Sequence, residues 1–242
     1  MSVNAVASSR PDYGVDAPGV VRGLAVAGVV ALAVAGIAVW LAVSWAAIVL
    51  AVTGAALLVS SALTLRNALS GKFRHRDRIL GHVTWRGDER VLDVGTGRGL
   101  LLVGAVKRAP RGHGVGLDIW QTRDLSDNSI ERTKANLAVE GVAERCDLVT
   151  VPAQQMNFPD ASFDAVVSNL CLHNIPGEAR TRAVREIARV LKPGGIAVIS
   201  DLMFVNRHAA TFRASGLSAT IDGPYLLDAF PPQKIVIARK PL

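Results

Sequence analysis

The chain divides into two stretches with different hydrophobic rhythm. From Gly23 to Leu65 there is no Asp, Glu, Lys, Arg or His, a run of 43 residues. As one helix it would be roughly 65 Å long at the usual rise per residue. A bilayer's hydrocarbon core is only about 30 Å thick, so two spans joined by a tight reversal fit better than one. The reversal is predicted within Trp40–Leu41–Ala42–Val43–Ser44–Trp45, because tryptophan suits the headgroup level. No Gly or Pro marks that turn, so a long tilted helix and a buried helix pair remain as alternatives. A cleaved signal peptide fits poorly, since the apolar run is too long and its basic flank thin. Ala27, Ala31 and Ala35 recur every four positions, as do Ala47, Ala51 and Ala55. Such stripes let helices approach closely, although alanine-rich segments also produce them by chance. Residues 1–19 show no period and read as a disordered tail.

From about Val83 short apolar runs alternate with amphipathic stretches of helical length. Strands are predicted at Arg90–Val94, Gly114–Asp118, Cys146–Val151, Phe163–Ser168, Gly195–Asp201 and Lys234–Arg239. Helices are predicted at Arg66–His82, Gly99–Ala109, Ser129–Glu140, Ala179–Leu191 and Arg207–Ser215. This alternation predicts an α/β fold with an open, mostly parallel sheet covered on both faces. The organisation expected is a tail (1–19), two transmembrane helices (20–68) and an α/β domain (69–242).

Charge changes the picture at the junction. The net charge is +7, and Lys72, Arg74, Arg76 and Arg78 follow the second apolar stretch while Arg22 precedes the first. Two positive flanks place both ends, and the α/β domain, on the cytoplasmic side of a multi-pass membrane protein. The run would then attract anionic headgroups. No nucleic-acid recognition element accompanies it, so nucleic acid is not the expected partner. Two cysteines without paired spacing speak against a metal site or a disulfide framework.

The candidate chemistry begins at Asp93–Val94–Gly95–Thr96–Gly97–Arg98–Gly99, an apolar strand end followed by three glycines at spacing two. Glycine permits a tight turn and lets backbone pass close to a ligand. The next helix offers free N–H groups to an anionic group. Position 100 is Leu, where a dinucleotide fingerprint wants Gly or Ala, which argues against NAD. Asp118 ends the next predicted strand and can accept hydrogen bonds from ribose hydroxyls. It can equally be a turn acid. Ile119 and Trp120 follow it and can pack on a purine face. The polar stretch 121–128 reads either as a flap over the ligand or as a solvated loop.

These motifs resemble motifs I and II of class I S-adenosylmethionine-dependent methyltransferases. Asn157–Phe158–Pro159–Asp160–Ala161–Ser162–Phe163–Asp164 and Arg185–Glu186–Ile187–Ala188–Arg189–Val190–Leu191–Lys192–Pro193–Gly194–Gly195 resemble later segments of that family, in the family's order. The resemblance covers roughly residues 83 to 240. It implies a doubly wound, Rossmann-like, seven-stranded sheet and S-adenosyl-L-methionine as cofactor. Gly95, Thr96, Gly97 and Gly99 would line its methionine part and Asp93 would orient its amino group. Asp118 would hold the ribose, with Ile119 beside the base, and Ala153 and Gln154 would lie near the adenine. The family often carries an acid where this chain has Pro152, so Gln154 or Gln155 would have to serve the adenine amino group. Ser168–Asn169–Leu170–Cys171–Leu172–His173–Asn174 looks like the small-molecule, ubiquinone/menaquinone-type members. Asn169 and His173 would face the transfer cleft, Asn169 touching the cofactor as well and His173 serving as general base or as a loop hydrogen-bonder. Cys171 reads as packing.

The expected activity is methyl transfer to a small-molecule or lipid-like acceptor at a membrane face. Three other classes stay in play: a protein or RNA methyltransferase, a catalytically silent membrane scaffold of the same fold, and a nucleotide-dependent oxidoreductase.

Overall fold

A computed structural model describes residues 10–122, 125–225 and 228–242. The 43-residue uncharged stretch forms a helical hairpin, α1 (Pro18–Trp40) and α2 (Ser44–Arg66), with the reversal at residues 41–43. Leu41 and Val43 donate backbone hydrogen bonds to Ile37 and Ala38, closing the last turn of α1, and Ala42 takes a positive φ of 60°. An alanine thus does the work for which Gly or Pro is the usual signal. Trp40 and Trp45 stand exposed at the tip.

The seam of the hairpin is not the predicted alanine stripe. Its buried residues are Gly28, Ala35 and Ala38 on α1 and Ala47, Gly54, Ser61 and Thr64 on α2. Ala35 and Ala47 belong to it, but Ala27 and Ala55 face outward. Burial recurs every seven residues, because a seam between two helices follows the 3.5-residue repeat rather than spacing four. A Cβ at Gly28 would lie 3.0 Å from the Gly54 carbonyl, and one at Gly54 would lie 2.9 Å from the Gly28 carbonyl. Ser61 Oγ donates to the Val21 carbonyl across the pair at 2.9 Å. The outer faces carry Val26, Ile48 and Val52, each more than 60% exposed. Both helices are long and apolar enough to cross a membrane by length and composition.

α2 does not stop at the junction. It continues through one π-helical turn, Asn67–Gly71, into α3 (Lys72–Gly81). α3 packs Ile79 and Leu80, both fully buried, against the domain. His75 is buried too, its Nε2 2.7 Å from Ser200 Oγ, which donates on to Gln233 Oε1 at 2.8 Å. Only part of the basic run, including Arg74 and Arg78, is exposed. Lys72 and His75 turn inward, and Arg78 pairs with Asp228 and stacks on Tyr225. The cause is the amphipathic period of α3, which gives one helix face to the domain core.

The rest is one seven-stranded sheet. Its elements are β1 (Arg90–Val94), α4 (Leu100–Arg108), β2 (His113–Asp118), α5 (Ile130–Val139), β3 (Cys146–Thr150), β4 (Phe163–Asn169), α6 (Gly177–Val190), β5 (Leu191–Asp201), α7 (Val205–Ala214), β6 (Ser218–Tyr225) and β7 (Gln233–Arg239). The order is β3-β2-β1-β4-β5-β7-β6. Pairing is parallel from β3 to β5 and antiparallel at β7 and β6. Every predicted strand is present within a few residues. β6 was not predicted, since Ser218–Tyr225 contains Gly223 and Pro224 and alternates poorly; as an edge strand it tolerates both. Val91, Leu92, Val94, Val166, Val167, Val198 and Ile199 in the central strands are fully buried. That two-sided burial is why they read as continuous apolar runs.

The chain reverses its winding between β1 and β4. At such a switch point the loops leave to opposite sides and open a crevice at the carboxyl ends of the strands.

The tail expectation is corrected for residues 10–17; residues 1–9 lie outside the described residues. Tyr13 is buried, with its hydroxyl donating to Glu140 at 2.7 Å. Asp12 N–H donates to Asn136 Oδ1, and Val15 N–H to Ser126 Oγ. Lys72 Nζ donates to the carbonyls of Tyr13 (2.9 Å) and Gly14 (2.5 Å). The segment is a strap across the domain, held by long-range partners that composition does not reveal.

Replacing Gly54 with Leu should splay the hairpin and destabilise the detergent-solubilised chain by about 1–3 kcal/mol, the usual cost of overpacking. Thermal unfolding followed by circular dichroism measures this, and Ala55→Leu on the outer face should leave the transition where it was.

Candidate active site

The loop after β1 builds the floor of the crevice. Gly95, Gly97 and Gly99 all take positive φ, at 74°, 52° and 83°. Two of them also answer to steric limits. A Cβ at Gly95 would lie 2.4 Å from Cys171 Sγ, and one at Gly97 would lie 2.9 Å from Leu125. Gly95 and Thr96 N–H both donate to the Leu117 carbonyl, which folds the loop over the end of β2. Gly99 caps α4 and faces Thr133 rather than the crevice.

Asp93 is 1% exposed. Its Oδ2 accepts from Thr96 Oγ1 at 2.8 Å and from Leu102 N–H at 3.0 Å. Burial pushes its pKa up to about 7; the two hydrogen bonds oppose the rise and the neighbouring Asp118 charge adds to it. Asp118 accepts from Gly97 N–H (2.7 Å) on Oδ2 and from Trp120 N–H (2.7 Å) on Oδ1. A carboxylate has about four acceptor sites, so capacity remains for hydroxyl donors.

A cavity of about 410 Å³ opens above this floor, within the range of small-molecule sites. It is lined by Asp93, Gly95, Thr96, Gly97, Asp118, Ile119, Pro152, Ala153, Gln154, Asn169 and His173. Every expected site residue except Gly99 therefore faces one space. Trp120 is not on that wall: its indole N–H donates to Thr150 Oγ1 at 2.7 Å, turned toward β3. Of the two glutamines, Gln154 faces the cavity and Gln155 is exposed to solvent. In the polar stretch 121–128, Arg123 and Asp124 lie outside the described residues. Gln121, Leu125 and Asn128 line the cavity. Leu125 pairs with Asp16 of the strap in an antiparallel bridge.

The acceptor side is built on β4 and β5. His173 Nδ1 lies 2.5 Å from Asp201 Oδ1, and His173 N–H donates to Asp201 Oδ2 at 3.0 Å. Asp201 is fully buried at the carboxyl end of β5. This bond fixes the ring and leaves Nε2 for another partner. Asp201 was missed as a site residue, although it is the third acid to close a strand in the sequence, after Asp93 and Asp118. Cys171 touches Gly95, and burial together with Asp118, Asp201 and Asp93 raises its thiol pKa. It is a neutral packing group, as expected. Leu170 and Phe204 hold positive φ beside this region; such strain concentrates at functional sites.

Also missed were Tyr13, Asp16 and Ala17 of the strap, Thr64 and Asn67 at the end of α2, and Lys72, Phe230, Pro231 and Gln233, all on the same wall. No local motif marks them, because they come from three distant segments.

The residues fit a sulfonium nucleoside carrying an amino-acid tail. Buried acceptors in the cavity lack partners: Asn128 Oδ1 and Asn169 Oδ1 make no hydrogen bond. Such atoms are costly unless a ligand or water meets them.

Residues 92–199 match the family model described as a methyltransferase domain. The 27-O-demethylrifamycin SV methyltransferase of Amycolatopsis mediterranei is 32% identical over 133 residues, 54% of this chain and 45% of that protein. The demethylmenaquinone methyltransferase of Symbiobacterium thermophilum is 33% identical over 122 residues, 50% of this chain and 45% of that one. The chain spans about half the length of these relatives. An O-methyltransferase family protein from Burkholderia thailandensis superposes with a TM-score of 0.59 at 16% identity, covering 77% of this chain and 60% of that one. The cyclase SpnF superposes with a TM-score of 0.58 at 20% identity, covering 74% and 84%. These two likenesses show the fold. Sheet, glycine loop and sequence match together make residues 92–199 similar to the methyltransferase domain that the family model describes.

Asp93 should make cofactor binding pH-dependent. Its pKa in the free protein is pushed up to about 7, and a bound α-ammonium group would favour the carboxylate. Affinity for S-adenosylhomocysteine should therefore rise as pH increases from about 6 and level off above about 8. The folded chain holds a proton there that the unfolded chain releases near 3.8, so this group's contribution to stability falls as pH rises from about 4 to about 7 and is level above that. Calorimetric titration measures the profile, and Asp93→Asn should flatten it.

Proposed function

We propose that this chain transfers the methyl group of S-adenosyl-L-methionine to a small, lipid-like acceptor at the cytoplasmic face of a membrane. The observation that carries the reading is that one cavity is lined both by the glycine loop and Asp118 and by Thr64 and Asn67 from the end of α2. An apolar hairpin used only as a tether would have no reason to line it.

When bound, the cofactor supplies an activated methyl on a sulfonium. The protein's task is to align the acceptor with that methyl and exclude water. Asp118 and the glycine loop hold the nucleoside, and Asn169 offers an acceptor oxygen beside the methionine part. His173, fixed by Asp201, takes the proton from an acceptor hydroxyl or carbon acid on Nε2. The buried Asp201 carboxylate steadies the imidazolium that forms. The hairpin's exposed apolar faces would lie in lipid, with Arg22 and Arg66 at the cytoplasmic boundary.

The test is transfer of labelled methyl from S-adenosylmethionine by the purified full chain to a membrane extract. Label in the organic phase is the expected result. Label only in protein would favour a protein methyltransferase, and no transfer together with no cofactor binding would remove the proposal.

Asp201→Asn should lower turnover by about 10²–10⁴-fold, the range for general-base catalysis, while leaving cofactor affinity within twofold or so. His173→Ala should lower turnover by a similar factor in the same assay.

A further inference from the structure

We infer that residues 12–17 and 125–128 form a lid on the cofactor end of the cavity, latched by Arg98, which opens for each exchange of cofactor. This rests on the reading above, in which the glycine loop and Asp118 hold the nucleoside.

The two segments make one small ribbon. Asp16 pairs with Leu125 in an antiparallel bridge. Ser126 N–H donates to the Val15 carbonyl at 3.2 Å, and Val15 N–H donates to Ser126 Oγ at 2.9 Å. The ribbon lies directly on the glycine loop. A Cβ at Gly97 would lie 2.9 Å from Leu125 Cδ2, and one at Gly14 would lie 3.0 Å from Arg98 Nε. Asn128 ends the ribbon beside Asp118, with its Nδ2 3.5 Å from Asp118 Oδ1. Tyr13, Asp16, Ala17, Leu125 and Asn128 line the same cavity as Gly97 and Asp118. The ribbon is therefore a wall of the space in which the nucleoside would sit.

Arg98 joins that wall to the loop. It stands between Gly97 and Gly99, yet its side chain is 4% exposed and runs into the ribbon. Nη1 pairs with Asp12 Oδ2 at 2.7 Å, and Nη2 donates to the Ser126 carbonyl at 2.5 Å. One side chain of the glycine loop thus grips both segments. Asn136 reinforces the grip, since its Nδ2 donates to the carbonyls of Asp12 (2.8 Å) and Arg98 (2.9 Å).

The way the ribbon is held makes it a lid and not a fixed wall. Of residues 10–17 only Tyr13 is buried. The other ties are hydrogen bonds and ion pairs, and the Asp12 and Asp127 carboxylates that face Arg98 are 61% and 58% exposed. Segments with few buried apolar contacts open locally at far less cost than the core. Bends are already set along the ribbon. Gly14, Ala17 and Asp127 take positive φ of 66°, 46° and 49°, and Ala17 directly precedes α1. Such strain in residues other than glycine gathers at switch regions. Excluding water during methyl transfer requires a closed site, and releasing the spent cofactor requires an open one.

The test uses the full chain in detergent micelles with S-adenosylhomocysteine as ligand, its association and dissociation followed by stopped-flow fluorescence. Asp12→Ala removes one arm of the latch and should raise both rate constants, each about fivefold, the upper worth of a partly exposed ion pair. Kd should stay within about twofold, because a looser lid admits and releases the ligand alike. Asp88→Ala breaks a comparably exposed pair with Arg86 ahead of β1 and should change neither rate. Hydrogen exchange on the unaltered chain gives a second reading that stands even if Asp12→Ala fails to fold. Residues 10–17 and 125–128 should exchange at least tenfold more slowly with ligand bound. An unchanged association rate in Asp12→Ala overturns the lid, as does equal exchange with and without ligand, and either result leaves the cofactor reading standing. No binding by the unaltered chain would remove that reading and the lid with it.

Discussion

Gly95 and Cys171 approach so closely that a single added methyl carbon would overlap the thiol. This close approach is where the loop after β1 meets the loop after β4, across the point at which the sheet reverses its winding. It requires parallel pairing of β1 with both β2 and β4, in a register that aligns Leu92 with Val115 on one side and Val166 on the other. That register brings Asp93, Asp118 and Asn169 to one edge. Asn169 pairs in turn with Ser200, so Asp201 and its partner His173 arrive at the same edge. A shift by one residue would turn each of these side chains to the opposite face of the sheet. The site thus depends on strand register first and on individual side chains second.

The second constraint is the unbroken helix from Ser44 to Gly81. Because α2 runs into α3 through a π turn, the apolar hairpin is coupled to the domain by backbone, not by a loose linker. His75, held to Ser200 and Gln233, fixes α3 to the sheet at β5 and β7. Burial brings the His75 pKa down to about 4, so the ring stays neutral and this attachment is indifferent to pH in the physiological range. Lys72 ties the strap to the same helix. Strap, hairpin and sheet consequently meet around one cavity.

Much of this was legible in the sequence. Strands β1, β2, β4 and β5 announce themselves as apolar runs because both of their faces are buried. The glycine spacing announces the loop because only glycine takes those backbone angles without strain. β6 stayed hidden, since an edge strand bearing Gly223 and Pro224 lacks a periodic signal. The small-residue seam was half legible. Glycine and alanine were the right residue types, but only packing chose Gly28, Ala35, Ala47 and Gly54 over their neighbours on the same helices.

The sequence by itself determined the order of elements, the glycine loop, the acids near the ends of β1 and β2, and the hairpin with its turn near Trp40. Each of these is a local property, set by backbone conformation or by periodicity within a few residues. Tertiary structure alone decided that residues 10–17 form a strap, that Lys72 and His75 point inward, that Asp201 orients His173, and that Asn67 lines the same cavity as the glycine loop. Those facts join residues separated by tens of positions or more. Such contacts arise from the register and packing of the whole sheet, and no stretch of sequence records them locally.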